Sequence, residues 1–107
     1  MNLLETYSQS LKAGDATRIA ALFAEDGEFY DEAPAKLDFD PIAVNGRKNI
    51  EEFYRKTFKH GGMNVRNIGI SGNAMRYDVT VGKITLLCLG VVSEEKGLIR
   101  QYRVIAV

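Results

Sequence analysis

Residue types that build disulfides and metal sites are scarce in this sequence. Its 107 residues include one cysteine, Cys88, and one histidine, His60. One cysteine cannot form an internal disulfide or a cysteine cluster, and a single histidine with scattered acids does not make a metal site. We therefore expect no bound metal, and we expect Cys88 to be a small buried hydrophobic residue in the apolar segment ITLLCLGVV.

Neither sign of charge is in excess. Lys and Arg together number 14, as do Asp and Glu, so the formal net charge is zero. A chain without a basic excess is not expected to bind nucleic acid or a membrane surface. No apolar run is long enough to span a bilayer, and the start of the chain lacks the pattern of a signal peptide. These absences predict a cytoplasmic protein with no nucleic-acid or membrane partner.

The first half of the chain carries mainly helical patterns. Three helices are predicted from apolar residues at helical spacing: residues 3–12, 16–24 and 47–59. Gly14 is suited to end the first helix, and Asp15 is suited to cap the second. The sequence EDG at 25–27 indicates a turn, and EFYD at 28–31 indicates a short strand.

From residue 63 onward, β-branched residues dominate. Four strands separated by hairpin-turn sequences are predicted: MNVRNIGI, NAMRYDVTV, KITLLCLGVVS and LIRQYRVIAV. Helices and strands that are segregated along the chain indicate the α+β class. The length allows one domain, residues 1–107, in which three helices cover one face of an antiparallel sheet.

Residues 32–45 hold both prolines and show no clear period. This pattern predicts a long loop. In a small domain, a loop of this length is often a lid or a binding loop.

The predicted sheet has an apolar face that the helices cannot cover. KITLLCLGVV is apolar on both faces, and a second copy of the chain is the simplest cover, so we expect a homodimer formed through the sheet. In AMRYDVTV, Arg76 and Asp78 share one face, whereas Met75, Tyr77 and Val79 share the other. If the apolar face is the interface, Arg76 and Asp78 point into the interior; if it is the core, they form a surface pair.

Three segments together resemble a known superfamily. LKAGDATRIAALFAEDGEFYD, NGRKNIEEFYRKTF and GVVSEEKGLIRQYRV are similar to the nuclear transport factor 2-like proteins, which include ketosteroid isomerases, SnoaL-like polyketide cyclases and limonene-epoxide hydrolases. The resemblance covers nearly the whole chain. It implies a cone-shaped fold, in which a strongly curved sheet wraps round three helices and encloses a pocket, and dimerisation through the sheet. It does not fix the function, because this fold hosts enzymes, binding modules and interaction domains.

The resemblance to ketosteroid isomerases assigns two residues. Without a gap, Tyr7 falls on their helical tyrosine and Asp31 on their aspartate base, both in register with Gly14 and Asp15. An aspartate in an apolar pocket can move a proton beside a carbonyl while a phenol donates to the developing enolate, which is the chemistry of the isomerases themselves. The second aspartate of these enzymes is missing here, and its place falls near three residues: Cys88, Leu89 and Gly90.

The resemblance to limonene-epoxide hydrolases assigns a different pair. Arg76 and Asp78 match the Arg-x-Asp that works with a further aspartate to activate water. That further aspartate falls on about Val104 and is absent. The tyrosine and asparagine that hold the water fall on about Phe29 and Asp31.

Two classes of function follow. One is a cofactor-free enzyme that transfers a proton on a small apolar carbonyl compound, with Asp31 as the base and Tyr7 as the hydrogen-bond donor. The other is a non-catalytic module for ligand binding or protein interaction, in which Tyr7 is a core residue and Asp31 caps the following loop. Epoxide hydrolysis is a third alternative. Five further residues are candidates for the pocket: Phe23, Phe29, Phe53, Arg76 and Asp78.

Overall fold

The computed structural model describes residues 2–61 and 64–107. In chain order, the elements are helix α1 (Leu3–Ala13), helix α2 (Ala16–Ala21), strand β1 (Phe23–Asp31), a 3-10 helix (Ala33–Leu37), strand β2 (Ile42–Asn45), helix α3 (Arg47–Lys59) and strands β3 (Asn64–Ser71), β4 (Ala74–Val81), β5 (Ile84–Glu95) and β6 (Leu98–Ala106). The predicted α+β class is confirmed.

Local sequence explains where the first two helices begin and end. The Asn2 side chain accepts hydrogen bonds from the first-turn N–H groups of α1, and Gly14 ends that helix with φ at 67°, a left-handed conformation that glycine adopts without strain. Asp15 caps α2 by accepting the Arg18 N–H at 3.0 Å. Helix α2 stops at Ala21, three residues before its predicted end, because Phe23 already pairs with Ile99 in the sheet.

The sheet has six strands in the order β2-β1-β6-β5-β4-β3. The four C-terminal strands form the predicted antiparallel meander. Strand β1 pairs antiparallel with β2 but parallel with β6, so the sheet is mixed. It is curved and does not close, and the helices lie against its inner side.

The predicted long loop at residues 32–45 is largely ordered structure. Its start forms the 3-10 helix, and its end forms β2, which lies at an edge of the sheet. Pro34 fits this arrangement, because it lies in the first turn of the 3-10 helix, where no N–H donor is needed.

The burial of side chains along β4 shows which face of this strand belongs to the core. Tyr77 and Met75 are buried, whereas Arg76 is exposed on the opposite side, with its stem over Gly69 of β3. Asp78 also faces outward and accepts a hydrogen bond from the Asn67 side chain at 2.7 Å. The alternative in which Arg76 and Asp78 point into the interior is therefore wrong, because the apolar face of β4 packs against the helices.

An irregularity in β1 ties the sheet to α3. Three more residues lie between Phe23 and Glu28 in β1 than between their partners in β6, so the strand bulges. The Arg47 guanidinium donates two hydrogen bonds to the Phe23 carbonyl, at 2.9 and 2.7 Å, and the Gly46 N–H donates to the Gly27 carbonyl at 2.7 Å. Helix α3 therefore begins where it satisfies the backbone groups that the bulge leaves unpaired.

This bulge requires glycine at position 27. A Cβ there would lie 2.9 Å from the Ile99 carbonyl oxygen and 3.0 Å from that of Ala24. We predict that Gly27→Ala lowers the free energy of unfolding by about 1–3 kcal/mol, because both obstacles are backbone atoms. Gly69→Ala is the matched control: its Cβ would meet the Arg76 side chain, which is flexible, so the change should cost less than about 1 kcal/mol. Urea denaturation of both variants measures the difference, and equal losses would contradict the assignment.

Candidate functional site

A cavity of about 340 Å³ lies between the helices and the inner face of the sheet. This volume suits a small ligand. Seven of its sixteen lining residues are aromatic: Tyr7, Phe29, Phe39, Phe53, Tyr54, Tyr77 and Tyr102. Among the lining residues of the described chain, Asp31 is the one with an ionisable carboxyl group, and none is a lysine, an arginine or a histidine.

Asp31 stands at the end of β1, where its strand phase gives it the same face as buried Phe29. Its Oδ1 accepts the Ala33 N–H at 2.8 Å, so it also caps the 3-10 helix that follows. In the described chain, its Oδ2 has no hydrogen-bond partner. Burial raises the pKa of Asp31, the Ala33 hydrogen bond opposes this shift, and the neighbouring Glu32 adds to it. Asp31 therefore caps a loop and lines the cavity as well.

Tyr7 of α1 and Tyr54 of α3 share a hydrogen bond between their hydroxyl groups. Each ring is almost fully buried. Burial raises the pKa of Tyr7 and of Tyr54, so both phenols stay protonated at neutral pH. Because one hydroxyl donates to the other, the accepting hydroxyl keeps its own hydrogen for a further partner.

Tyr77 of β4 and Tyr102 of β6 complete the polar part of the wall. Burial raises the pKa of each phenol, and a hydrogen bond with Tyr77 offsets part of the shift at Tyr102. The Tyr102 ring lies edge-on to Tyr7, with ring centroids 4.8 Å apart. It also lies directly over Gly90, where any Cβ would overlap the Tyr102 ring and hydroxyl.

The sequence predictions for the site have mixed outcomes. Asp31, Tyr7, Phe29 and Phe53 all line the cavity. Phe23 does not: it is fully buried behind the wall, where its ring lies edge-on to Tyr7 at 6.1 Å. The pocket assignment of Arg76 and Asp78 is wrong, since alternation along β4 turns both away from the cavity.

Three lining tyrosines are not among the predicted site residues. Tyr54 follows Ile50 by one helical turn, so the helical spacing indicates its burial but not its contact with Tyr7. The strand pattern places Tyr77 on the apolar face of β4 without relating it to the cavity. Tyr102 alternates with buried Val104, which is a signal for an inward position.

Other kinds of site find little support in the described residues. No group of three or more acidic, cysteine or histidine residues is arranged to hold a metal ion. Cys88 is buried, as expected, and burial raises the pKa of its thiol to about 11, with added contributions from Asp31 and Asp78. None of the described helices has the length and apolar character needed to cross a membrane.

Comparison with known proteins places the fold. No protein-family model matches the chain, and no curated protein matches it. Solved structures do. An NTF2-like protein of unknown function from Cytophaga hutchinsonii is 18% identical, with a TM-score of 0.69 over 98% of this chain and 87% of that one. An NTF2-like protein of unknown function from Mesorhizobium loti is 12% identical, with a TM-score of 0.75 over 98% and 88%.

A third similar structure carries a ligand. It is a protein with a ketosteroid isomerase-like fold from Catenulispora acidiphila, in complex with trimethylamine, and it is 12% identical with a TM-score of 0.67 over 95% of this chain and 82% of that one. At these identities, the likeness concerns the fold. The chain has the nuclear transport factor 2-like fold, as the sequence resemblance implied.

The buried carboxyl group leads to a prediction on stability. Because the pKa of Asp31 is raised in the folded protein above its ordinary value of 3.8, its proton stabilises the fold fully below that value, and the contribution is lost as pH rises through the folded pKa. Asp31→Asn keeps an oxygen acceptor for Ala33 but cannot ionise. We predict that the variant gains stability relative to the parent as pH rises from 3 to 8 (roughly the range over which acidic groups lose protons).

Urea midpoints of both proteins across this range measure the effect. Asp40→Asn, at an exposed site, controls for the removal of one carboxyl group. A stability difference between Asp31→Asn and the parent that stays constant with pH would contradict the prediction.

Proposed function

We propose that the cavity binds a small apolar molecule and that the protein moves a proton on a carbonyl-bearing ligand without a cofactor. Asp31 is the base and Tyr7 the hydrogen-bond donor. The observation that carries this proposal is the position of Asp31: it is a carboxylate with one free oxygen in an aromatic wall that also contains paired phenols.

The proposed chemistry follows from the environments of Asp31 and of the Tyr7–Tyr54 pair. The Asp31 carboxylate takes a proton from the carbon beside the ligand carbonyl, and its raised pKa makes it a stronger base than an exposed aspartate. The electron pair of the broken C–H bond moves onto the carbonyl oxygen, which accepts a hydrogen bond from the Tyr7–Tyr54 pair. Asp31 then returns the proton to carbon, so the ligand is isomerised or its proton exchanged.

The same cavity supports a second candidate, a non-catalytic ligand-binding module. The β5 residue that lines the cavity is Leu86, and near residues 88–90, where the resemblance to ketosteroid isomerases locates a second aspartate, Gly90 lacks a side chain and the Cys88 thiol is a weak donor. Without a second acid there, the phenols of the lining tyrosines are left as the hydrogen-bond donors for a developing oxyanion. The trimethylamine complex of the Catenulispora protein supports small-molecule binding by this fold. The orientation of Arg76 and Asp78 removes the basis for epoxide hydrolysis.

Proton exchange separates the two candidates. We predict that the protein catalyses hydrogen–deuterium exchange beside the carbonyl of small cyclic enones, followed by NMR. Asp31→Asn should lower the rate by about 10²–10⁴-fold, and Tyr7→Phe by about tenfold or more, because each removes one group that acts on the transition state. Asp40→Asn should leave it unchanged. Exchange by the parent that persists in full after Asp31→Asn would remove Asp31 from the mechanism, and no exchange by the parent would favour the binding module.

We further propose that the chain is a homodimer formed through the outer face of its sheet, in the cytoplasm. Leu87, Val91 and Ile105 are each about two-fifths exposed there. Arg76 and Asp78 border this apolar area, and because a twofold interface sets one surface against itself, they can pair across it.

The dimer is tested by mass. Ile105→Glu places a charge within the proposed interface, because Ile105 lies opposite Leu89 in the sheet. We predict that light scattering at micromolar concentration gives twice the chain mass for the parent and a single chain mass for this variant. Gln9→Glu, which adds the same charge at an exposed position on α1, should remain dimeric. A parent with the mass of one chain would overturn the dimer.

A further inference from the structure

We infer that the cavity selects an organic cation: a ligand whose tertiary or quaternary ammonium group lies beside Asp31 and whose apolar part fills the remaining space. This inference rests on the proposed small-molecule binding of the cavity, and it is independent of proton transfer. It is carried by the charge, the hydrogen bonding and the aromatic content of the cavity wall.

The first argument is the lack of a counter-ion for Asp31. Among the described residues, no ion pair involves Asp31, and Arg103, which precedes its register partner Val104 in β6, forms an ion pair with Glu32 and lies over the Tyr30 ring. A partly buried carboxylate without a cation is costly. A positively charged ligand supplies the missing charge, whereas an anionic ligand would be repelled by Asp31 with no cation in the described lining to offset it.

The second argument is the aromatic wall. Tyrosine and phenylalanine rings present a negative face to a nearby cation, and methylated ammonium groups are recognised by clusters of such rings. Phe29 stands at the centre of this wall, with the Phe53, Tyr54 and Tyr102 rings all within 6.0 Å of it between centroids.

The third argument concerns the type of cation. A primary ammonium group has three N–H donors, and each needs an acceptor when it is buried. Asp31 offers Oδ2, and Thr57, the one lining residue with an aliphatic hydroxyl, already donates to the Phe53 carbonyl at 2.9 Å. The other lining acceptors are the neutral phenol oxygens of the tyrosines, which accept more weakly than a carboxylate. The described cavity therefore suits a cation with one N–H donor or none, surrounded by methyl or methylene groups that the apolar wall accommodates.

The pairing of a cation with Asp31 also predicts how the affinity for the ligand changes with pH. Tyr54 of α3, Tyr77 of β4, Cys88 of β5 and Tyr102 of β6 all sense the Asp31 charge, and each has a raised pKa, so they stay neutral through the acid and neutral range. Glu32, the remaining neighbour, is held by Arg103. A cationic ligand should bind more tightly as pH rises and Asp31 loses its proton; a neutral ligand should not.

Calorimetry with matched ligands tests the inference on the full chain. Each cation is compared with its neutral isostere, in which carbon replaces nitrogen: choline with 3,3-dimethyl-1-butanol, and phenyltrimethylammonium with tert-butylbenzene. We expect the parent to bind at least one cation about tenfold or more tightly than its isostere, an advantage within the range of cation–π and charge pairing. Asp31→Asn should abolish that preference, and Asp40→Asn, which removes a carboxyl group at an exposed site outside the cavity, should retain it.

The outcomes are separable from those of the proposed function. If the isosteres bind as tightly as the cations, or if the preference survives Asp31→Asn, the inference is wrong while the cavity remains a ligand site. If no compound of either kind binds at millimolar concentration, the inference and the small-molecule function both fail. If Asp31→Asn does not fold, the pH series on the parent decides: affinity for the cation that does not rise with pH overturns the inference.

Discussion

The hydrogen bonds from Arg47 to the Phe23 carbonyl hold together the parts on which the site depends. They fix the bulge of β1 to the start of α3, and so they set both the phase of the strand and the position of the helix. The strand phase turns Phe29 and Asp31 toward the interior. The helix position brings Tyr54 to Tyr7 of the first helix, 47 residues away in sequence. The Phe23 carbonyl thus helps to position site residues from three elements: β1, α3 and α1.

The site itself combines two requirements that normally oppose each other. The aromatic rings that line the cavity also pack on one another, mostly edge to face, so the domain keeps a core around a space that it does not fill. The same wall partly shields the Asp31 carboxyl group from water, which raises its pKa. The charge at Asp31 therefore acts against the stability that the same rings provide: removing this charge favours the fold.

The sequence predicts what depends on near neighbours. Helical spacing gives α3 with its observed bounds, and the two-residue alternation puts Phe29 and Asp31 on one face. Alternation cannot say which face is inside, so it allows Arg76 and Asp78 two orientations, and only the packing of β4 against the helices decides between them. The early start of β1 escapes prediction because its pairing partner, Ile99, lies far along the chain. Contacts such as Tyr102 over Gly90 are invisible for the same reason.

That last contact constrains how this protein can change over evolutionary time. Tyr102 occupies the space that the first atom of any side chain at position 90 would need. An acid at this place, which the resemblance to ketosteroid isomerases locates near residues 88–90, cannot be introduced while the tyrosine stays where it is. The two positions are epistatic: a side chain at position 90 requires the Tyr102 ring to shift or be replaced, at the expense of the ring cluster around Tyr7. A substitution at position 90 alone therefore disturbs this ring cluster before it can supply a donor.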